Sequence, residues 1–421
     1  MADFLRQKKP PADLGLRVLR AWLQSASPLG PLQVMGDEVG YFFQIPLPSF
    51  NPYVVFGPQA NRAVLVTQRQ KLLWRNTDPV TDLLRRGVLV VDGDEHDRYR
   101  QLMEPALHPA KLPAYAAMMV AQAKRVSDGW QEGEAVDLLV ESRKIALLII
   151  FQALFSEDIG GDLPQLWQPI LKAIAYISPG AWILWRQMPR PSFTVPLRQL
   201  DAYLYNLITK RRAGEPRPDM LQALIEADLS DDVIRDQMLT MLIAGHDTST
   251  ALLAWVFVLL GRHRAVLKEL QAEVAQNDKS PLLDAVIKEA LRLYPPIHIG
   301  NRRVAEPLEL EEGNIPAGAR LFYSIYLTHR DSRLWEAAHE FDPQRFLGGR
   351  QTPPFAFVPF GGGPRACIGA AFGQLEARLV LTYLLRHFTF EPLQFERIHP
   401  HMGATLEPHP GVWMRVRRRS R

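Results

Sequence analysis

The stretch 231–262 constrains this chain more than any other. It carries apolar residues on every side between Met238 and Leu260 and contains no proline. As a helix it would run roughly 48 Å at 1.5 Å per residue. A helix apolar all round passes through a core or a bilayer. His246 and Asp247 lie near its middle, where an ionised group would be costly in lipid, so the core reading wins. The rest of the chain must then wrap around it. With 421 residues, 47% of them hydrophobic, there is enough chain to do so, because a protein of this size buries about three quarters of its surface.

Apolar spacings of three and four predict further helices over 118–130, 135–155, 197–212, 282–293 and 368–387. Pro295-Pro296 stops the fourth. Strand texture appears at 41–45, 53–56, 303–326 (with a Pro316-Ala317-Gly318 turn), 388–390 and 412–416. No linker, repeat or low-complexity tract divides the chain. The expectation is one unit over 1–421, mainly α with a smaller β lobe. The helical body would span 60–302 and 368–387, and the strand-rich lobe 41–59, 303–326 and 388–416.

The sequence has one cysteine. That excludes an internal disulfide, a Cys-rich zinc module and an iron–sulfur cluster held by this chain alone. The net charge is +4, and much of the excess sits in 415–421, so no nucleic-acid partner is expected. Charges interrupt Met1 to Pro11 with no apolar run after them, and the apolar run 145–155 is too short to span a bilayer. A cytoplasmic protein without a membrane anchor is expected.

The cysteine sits in Phe360-Gly361-Gly362-Gly363-Pro364-Arg365-Ala366-Cys367-Ile368-Gly369. Glycines allow positive φ and close approach of backbone to a flat ligand. A helix follows, so the amides of Ile368 and Gly369 and the helix N-terminus would favour a thiolate at Cys367. A thiolate is a strong axial ligand for haem iron. Taken alone, a single cysteine is more often a small buried hydrophobe. Gly361, Gly363 and Ala366 also match the dinucleotide fingerprint letter by letter. Pro364 interrupts that match, and too little chain follows for a doubly wound sheet.

Inside the long helix lies Ala244-Gly245-His246-Asp247-Thr248. Glycine costs about 1 kcal/mol in a helix interior, and Thr248 can bond back to the Ala244 carbonyl. A bend or widened turn is predicted. It would leave a slot edged by a hydroxyl and a carboxylate, suited to a diatomic ligand and to proton relay. A kinked core helix with satisfied polar residues is the competing reading. His246 reads as a satisfied helix histidine and not as an iron ligand.

Three pairs add to this. Glu289 and Arg292 share a helix face, and so do His96 and Arg100. Arg302 and Arg303 open a strand, so only one can point inward.

Phe360, Gly363, Arg365, Cys367 and Gly369 fill all five positions of a haem-loop pattern, and the segment resembles that of the cytochrome P450 superfamily. The resemblance runs from about Tyr41 to Val416. It implies the fold of that family around haem b (iron protoporphyrin IX), with Cys367 as the proximal iron ligand and Arg365 on a haem propionate. Phe360, Gly361, Ile368 and Gly369 would line the haem. Ala244 to Thr248 is similar to the family's oxygen-activating motif. It implies an acid–alcohol pair of Asp247 and Thr248, with Ala244 and Gly245 beside the haem. His96 and Arg100 resemble a propionate clamp, and the family's Arg-Val-Ala pattern selects Arg303 as a further propionate ligand. Glu289, Arg292 and Arg345 resemble the family's buried ion-pair network.

The activity so implied is insertion of one oxygen atom of O₂ into a lipophilic substrate (a terpenoid, carotenoid, fatty acid or steroid-like molecule). Electrons would come from a separate ferredoxin or flavodoxin with its reductase, docking near Arg98, Arg365 and Arg378. Substrate contacts are expected from 83–94, from 176–193 with its Trp182–Trp185 cluster, and from 297–300. Three alternatives stand beside this. One is a peroxide-driven peroxygenase, against which Asp247 and Thr248 argue. Another is a haem-thiolate sensor or carrier. The third is a haem-free cysteine hydrolase, which His387, about 30 Å along the helix from Cys367, cannot serve.

Overall fold

The computed structural model describes residues 11–25, 27–45, 50–74, 79–179, 194–277, 279–349 and 352–419. The central helix occupies Asp231–Arg262, the span expected for it. Ser230 accepts the Val233 amide at 3.4 Å, and Asp231 and Asp232 complement the N-terminal dipole. Around it pack the helices Leu138–Phe155, Thr194–Ala213, Pro281–Leu293 and Ala370–His387. Among the described residues it is the one helix long and apolar enough to cross a membrane, and 83% of its most apolar window lies inside the protein.

Twelve strands are described. The first six are β1 (Phe42–Gln44), β2 (Tyr53–Val55), β3 (Leu72–Leu73), β4 (Ala135–Asp137), β5 (Ile299–Val304) and β6 (Leu308–Leu310). Next come β7 (Gly313–Ile315), β8 (Arg320–Ser324), β9 (Phe388–Pro392), β10 (His399–Met402), β11 (Leu406–His409) and β12 (Trp413–Arg418). One five-stranded sheet has the order β1-β2-β8-β5-β3, with β2 and β8 parallel. It joins strands from both halves of the chain.

The strands of 388–416 do not enter that sheet. β9 and β12 pair with β4, and β10 and β11 form their own hairpin. The reason is local. Residues 135–155 read as one helix, but the Asp137 carboxylate accepts both the Leu139 amide at 3.0 Å and the Val412 amide at 2.8 Å. Asp137 therefore starts the helix and ends the three-residue strand Ala135–Asp137 that pairs with β12. Tyr326 lies in a short helix, Ile325–His329, begun by Ser324, which accepts the Leu327 amide at 3.1 Å. His96 and Arg100 lie on the helix Gly93–Leu107, while helices at Leu14–Ser25, Leu29–Val39, Leu163–Ile177 and Arg264–Gln276 go beyond the sequence reading.

The Glu289 network is buried as expected. Arg292 donates to Glu289 at 2.7 and 2.8 Å, and Arg345 donates to the same carboxylate at 3.0 Å. Arg292 also reaches the carbonyls of His329 (2.8 Å), Ala338 (2.6 Å) and Glu340 (3.0 Å). One guanidinium thus collects the irregular chain before the cysteine loop.

Candidate functional site

The cysteine loop is a backbone turn closed on itself. The Cys367 amide donates to the Phe360 carbonyl at 2.8 Å, and that of Ala366 to Gly363 at 3.0 Å. Gly363 must be glycine. Its φ is +65°, and a Cβ there would lie 2.4 Å from the Leu65 carbonyl oxygen. Gly361 also has positive φ. Helix Ala370–His387 starts just after Cys367. Cys367 keeps open surface on one side. Burial of the sulfur's surroundings pushes the thiol up, while the Gly369 amide and the charge of Arg100 pull it down. The expected amide assistance comes from Gly369.

One face of the central helix is open. From Val233 to Gly261 every residue is buried except Ala244, Gly245 and Thr248, which share a face. Thr248 donates to the Ala244 carbonyl at 2.8 Å, as its spacing predicts. The helix nevertheless continues without interruption, so the widened turn is not found. Gly245 has a packing reason instead, since a Cβ there would meet Ile150 Cδ1 at 2.6 Å. Asp247 points away from the open face and is buried with Arg143 at 3.3 Å. His246 is buried, and burial pushes its imidazole down to about 4, so it is neutral. Its Nδ1 sits 2.6 Å from the Leu242 carbonyl.

Cationic groups converge on the loop. Arg100 donates to the Ala366 carbonyl at 2.7 Å, and Arg365 to Asp92 at 2.8 Å and to the Val91 carbonyl. His96 is buried, with Nδ1 2.8 Å from Asp97, and burial lowers its pKa. Burial, with Arg302 and Arg69 nearby, pushes Arg365 down to about 10. The expectation for Arg303 needs correction. On β5 the residues at 300, 302 and 304 are buried, and Arg303 is exposed on the other face. Arg302 is the inward residue, stacked over Trp74 at 4.7 Å and Tyr323 at 5.3 Å. The signal was present in the sequence: Val304 marks the buried parity of that strand.

Arg365 is turned inward onto Asp92 and is not a surface docking residue. Arg378 is paired with Asp284 at 2.7 Å. The loop 83–94 is clipped to the central helix, for the Val88 amide donates to Gln237 at 2.8 Å and Gln237 donates to the Arg86 carbonyl at 2.8 Å. Residues 180–193, with Trp182–Trp185, lie outside the described residues. His387 bonds the Tyr383 carbonyl at 2.8 Å, at the far end of the helix from the cysteine.

Sequence reasoning missed four groups besides Arg302. Arg143, Thr405 and Glu407 surround Asp247, and Glu376 meets Ser249. Each partnership spans more than one hundred residues of chain, and no local pattern announces it.

A sulfur donor held by backbone, an open helix face carrying no side chain larger than threonine, and guanidinium groups gathered at the cysteine loop fit a flat, dianionic prosthetic group bound through sulfur. These features define a haem-thiolate protein. A family model described as Cytochrome P450 matches residues 20–414, and the chain belongs to that family. It is accordingly an oxidoreductase of the P450 monooxygenase kind. Cytochrome P450 138 of Mycobacterium tuberculosis is 33% identical over 386 residues, covering 87% of this chain and 86% of that one. A Streptomyces melanosporofaciens protein named cyclooctat-9-en-7-ol 5-monooxygenase is 28% identical, covering 88% and 86%. Among solved structures, CYP175A1 from Thermus thermophilus superposes with a TM-score of 0.79 at 28% identity, covering 98% of this chain and 100% of that one. Retinoic acid bound cyanobacterial CYP120A1 reaches 0.84 at 24% identity over the same shares, a likeness of fold.

Proposed function

We propose that this protein is a haem b monooxygenase that hydroxylates a lipophilic, terpenoid-class substrate, taking electrons from a separate ferredoxin or flavodoxin. The observation that carries the reading is the small open face of Ala244, Gly245 and Thr248 on an otherwise buried helix. Support for the substrate class comes from the relative whose name records 5-monooxygenation of cyclooctat-9-en-7-ol.

Cys367 would hold the iron, with Gly369 and Arg100 favouring its thiolate. Arg100, Arg302, Arg365 and His96 would hold the two propionates. Bound there, the haem supplies the oxidising chemistry that places an oxygen atom on the substrate. Thr248 presents a hydroxyl at the open face, its proton parked on the Ala244 carbonyl and its lone pairs free to accept. Asp247, its chain neighbour, would supply the proton by turning toward that face from its place beside Arg143. Ala244 and Gly245 keep the face low enough for a small ligand and a substrate together.

The test is a binding screen on the purified holoprotein with terpenes, carotenoids, steroids and fatty acids, read as displacement of the distal water in the haem spectrum. Terpenes are expected to give the tightest response. Product formation with peroxide alone, at the rate seen with reductant and O₂, would overturn the monooxygenase reading in favour of a peroxygenase.

A further inference from the structure

The Asp247 carboxylate is one of a pair. Arg143, on the helix Leu138–Phe155, directs Nη2 at Asp247 Oδ1 (3.3 Å) and at Glu407 Oε1. The Thr405 hydroxyl donates to Asp247 Oδ2 at 2.9 Å. The two carboxyls converge on the same Arg143 nitrogen and Asp247 acts on Glu407 at side-chain range, so one proton can be shared between them. Charge counting gives the same answer. Two carboxylates against one guanidinium leave a net negative charge in a poorly solvated place, and one shared proton removes it.

The three side chains step outward in exposure, from 2% at Asp247 to 10% at Arg143 and 21% at Glu407. Glu407 therefore touches both water and the buried acid. Its strand is fixed to the central helix, because Trp255 Nε1 donates to the Leu406 carbonyl at 2.8 Å. The Leu406 amide donates to the Pro296 carbonyl at 2.9 Å. Glu407 cannot drift from Asp247 without moving that anchor.

We propose that Glu407 is the residue through which Asp247 exchanges protons with solvent. The proposal rests on the reading of Asp247 and Thr248 given above. A proton from water binds the Glu407 carboxylate. It then crosses between the two carboxyls, the O–H bond on Glu407 breaking as one on Asp247 forms. Glu407 is left anionic beside Arg143 and is protonated again from solvent. No electron moves and the total charge of the trio is unchanged by the transfer. Burial and the neighbouring Asp247 hold Glu407 up at about 7, against the pull of Arg143, so both of its forms are populated near neutrality. The other ionisable groups nearby are His401, opposite Glu407 in the hairpin register, and His246, neutral on the central helix. Burial, with His409 and His399 beside it, lowers His401, so neither brings a positive charge at neutral pH.

The experiment uses the haem-loaded full chain and its Glu407→Gln and Glu407→Asp variants, each first checked for haem content and carbon-monoxide spectrum. Infrared difference spectra across a pH titration of the ferric protein should show a carboxyl band titrating near neutrality. That band should be absent in E407Q and present but shifted in E407D. Oxygen consumption by the protein supplied with electrons through a surrogate ferredoxin and its reductase should show a pH-dependent limb in the same range and a solvent deuterium effect, both lost in E407Q and restored in part by E407D. An E407Q protein that keeps the band and the limb overturns the proposal. Asp247→Asn separates the premises. If D247N removes the limb and E407Q does not, Asp247 delivers protons by another route. If D247N leaves it intact, the Asp247 reading itself fails and the proposal falls with it.

Discussion

Ser249 Oγ donates to Glu376 Oε2 at 2.8 Å where the central helix crosses the helix that follows the cysteine. Ser249 is the residue after Thr248, and Glu376 lies on the helix that begins just past Cys367. The carboxyl is fully enclosed and burial pushes it up to about 8, with Ser249 opposing. At neutral pH it is a neutral acid bridging the two helices that carry the site.

That bridge has a pH signature. The folded-state value lies above the unfolded one, so between about pH 4.5 and 8 the folded protein binds the extra proton. Stability is full below that window and falls as pH rises through it. Glu376→Gln, which is neutral at all pH, should flatten the decline in melting temperature over this range. An unchanged slope in the variant would assign the decline to other groups.

Removing Glu289 should be severe. Glu289→Ala leaves Arg292 and Arg345 buried without their carboxylate, and loss of one partner in such a network costs about 3–5 kcal/mol. Urea unfolding of the variant should show a lower midpoint by that amount or a failure to accumulate folded protein. A loss within experimental error of zero would contradict the buried network.

Arg302→Gln and Arg303→Gln should differ. Arg302 faces Arg365 and Arg303 faces solvent, so only the first should loosen the haem. Transfer of haem to an excess of apomyoglobin should be ~10-fold faster for Arg302→Gln, the worth of one charge-assisted hydrogen bond, and unchanged for Arg303→Gln. The reverse order would restore Arg303.

Thr248→Ala should retain haem and the carbon-monoxide spectrum while product formation falls by roughly a hundred-fold or more, the lower end of the usual span for a lost proton-transfer group. Reducing equivalents should appear as hydrogen peroxide. Unchanged coupling would remove Thr248 from the proton path. Cys367→Ala should lose the thiolate spectrum altogether, and its retention would sink the assignment of the iron ligand.

What could be read from the sequence follows the range of each interaction. The start of the central helix was legible because Ser230, Asp231 and Asp232 act within one turn. Glu289 and Arg292 were legible for the same reason, and Arg345 through the pattern that follows them. Which of Arg302 and Arg303 is buried was there in strand parity, whereas the family pattern selected the exposed neighbour. The pairing of β12 was hidden because its partner β4 has three residues, too few for a period. Arg143, Thr405 and Glu407 were hidden because only the assembled hairpin brings them to Asp247.

The contact between Gly363 and the Leu65 carbonyl means that the pocket's floor is moulded from outside by residues almost three hundred positions earlier. Damage to the segment 63–67 should then release the iron while leaving every ligand-bearing side chain untouched. Haem loss in this protein is therefore no proof that a haem-contacting residue was hit.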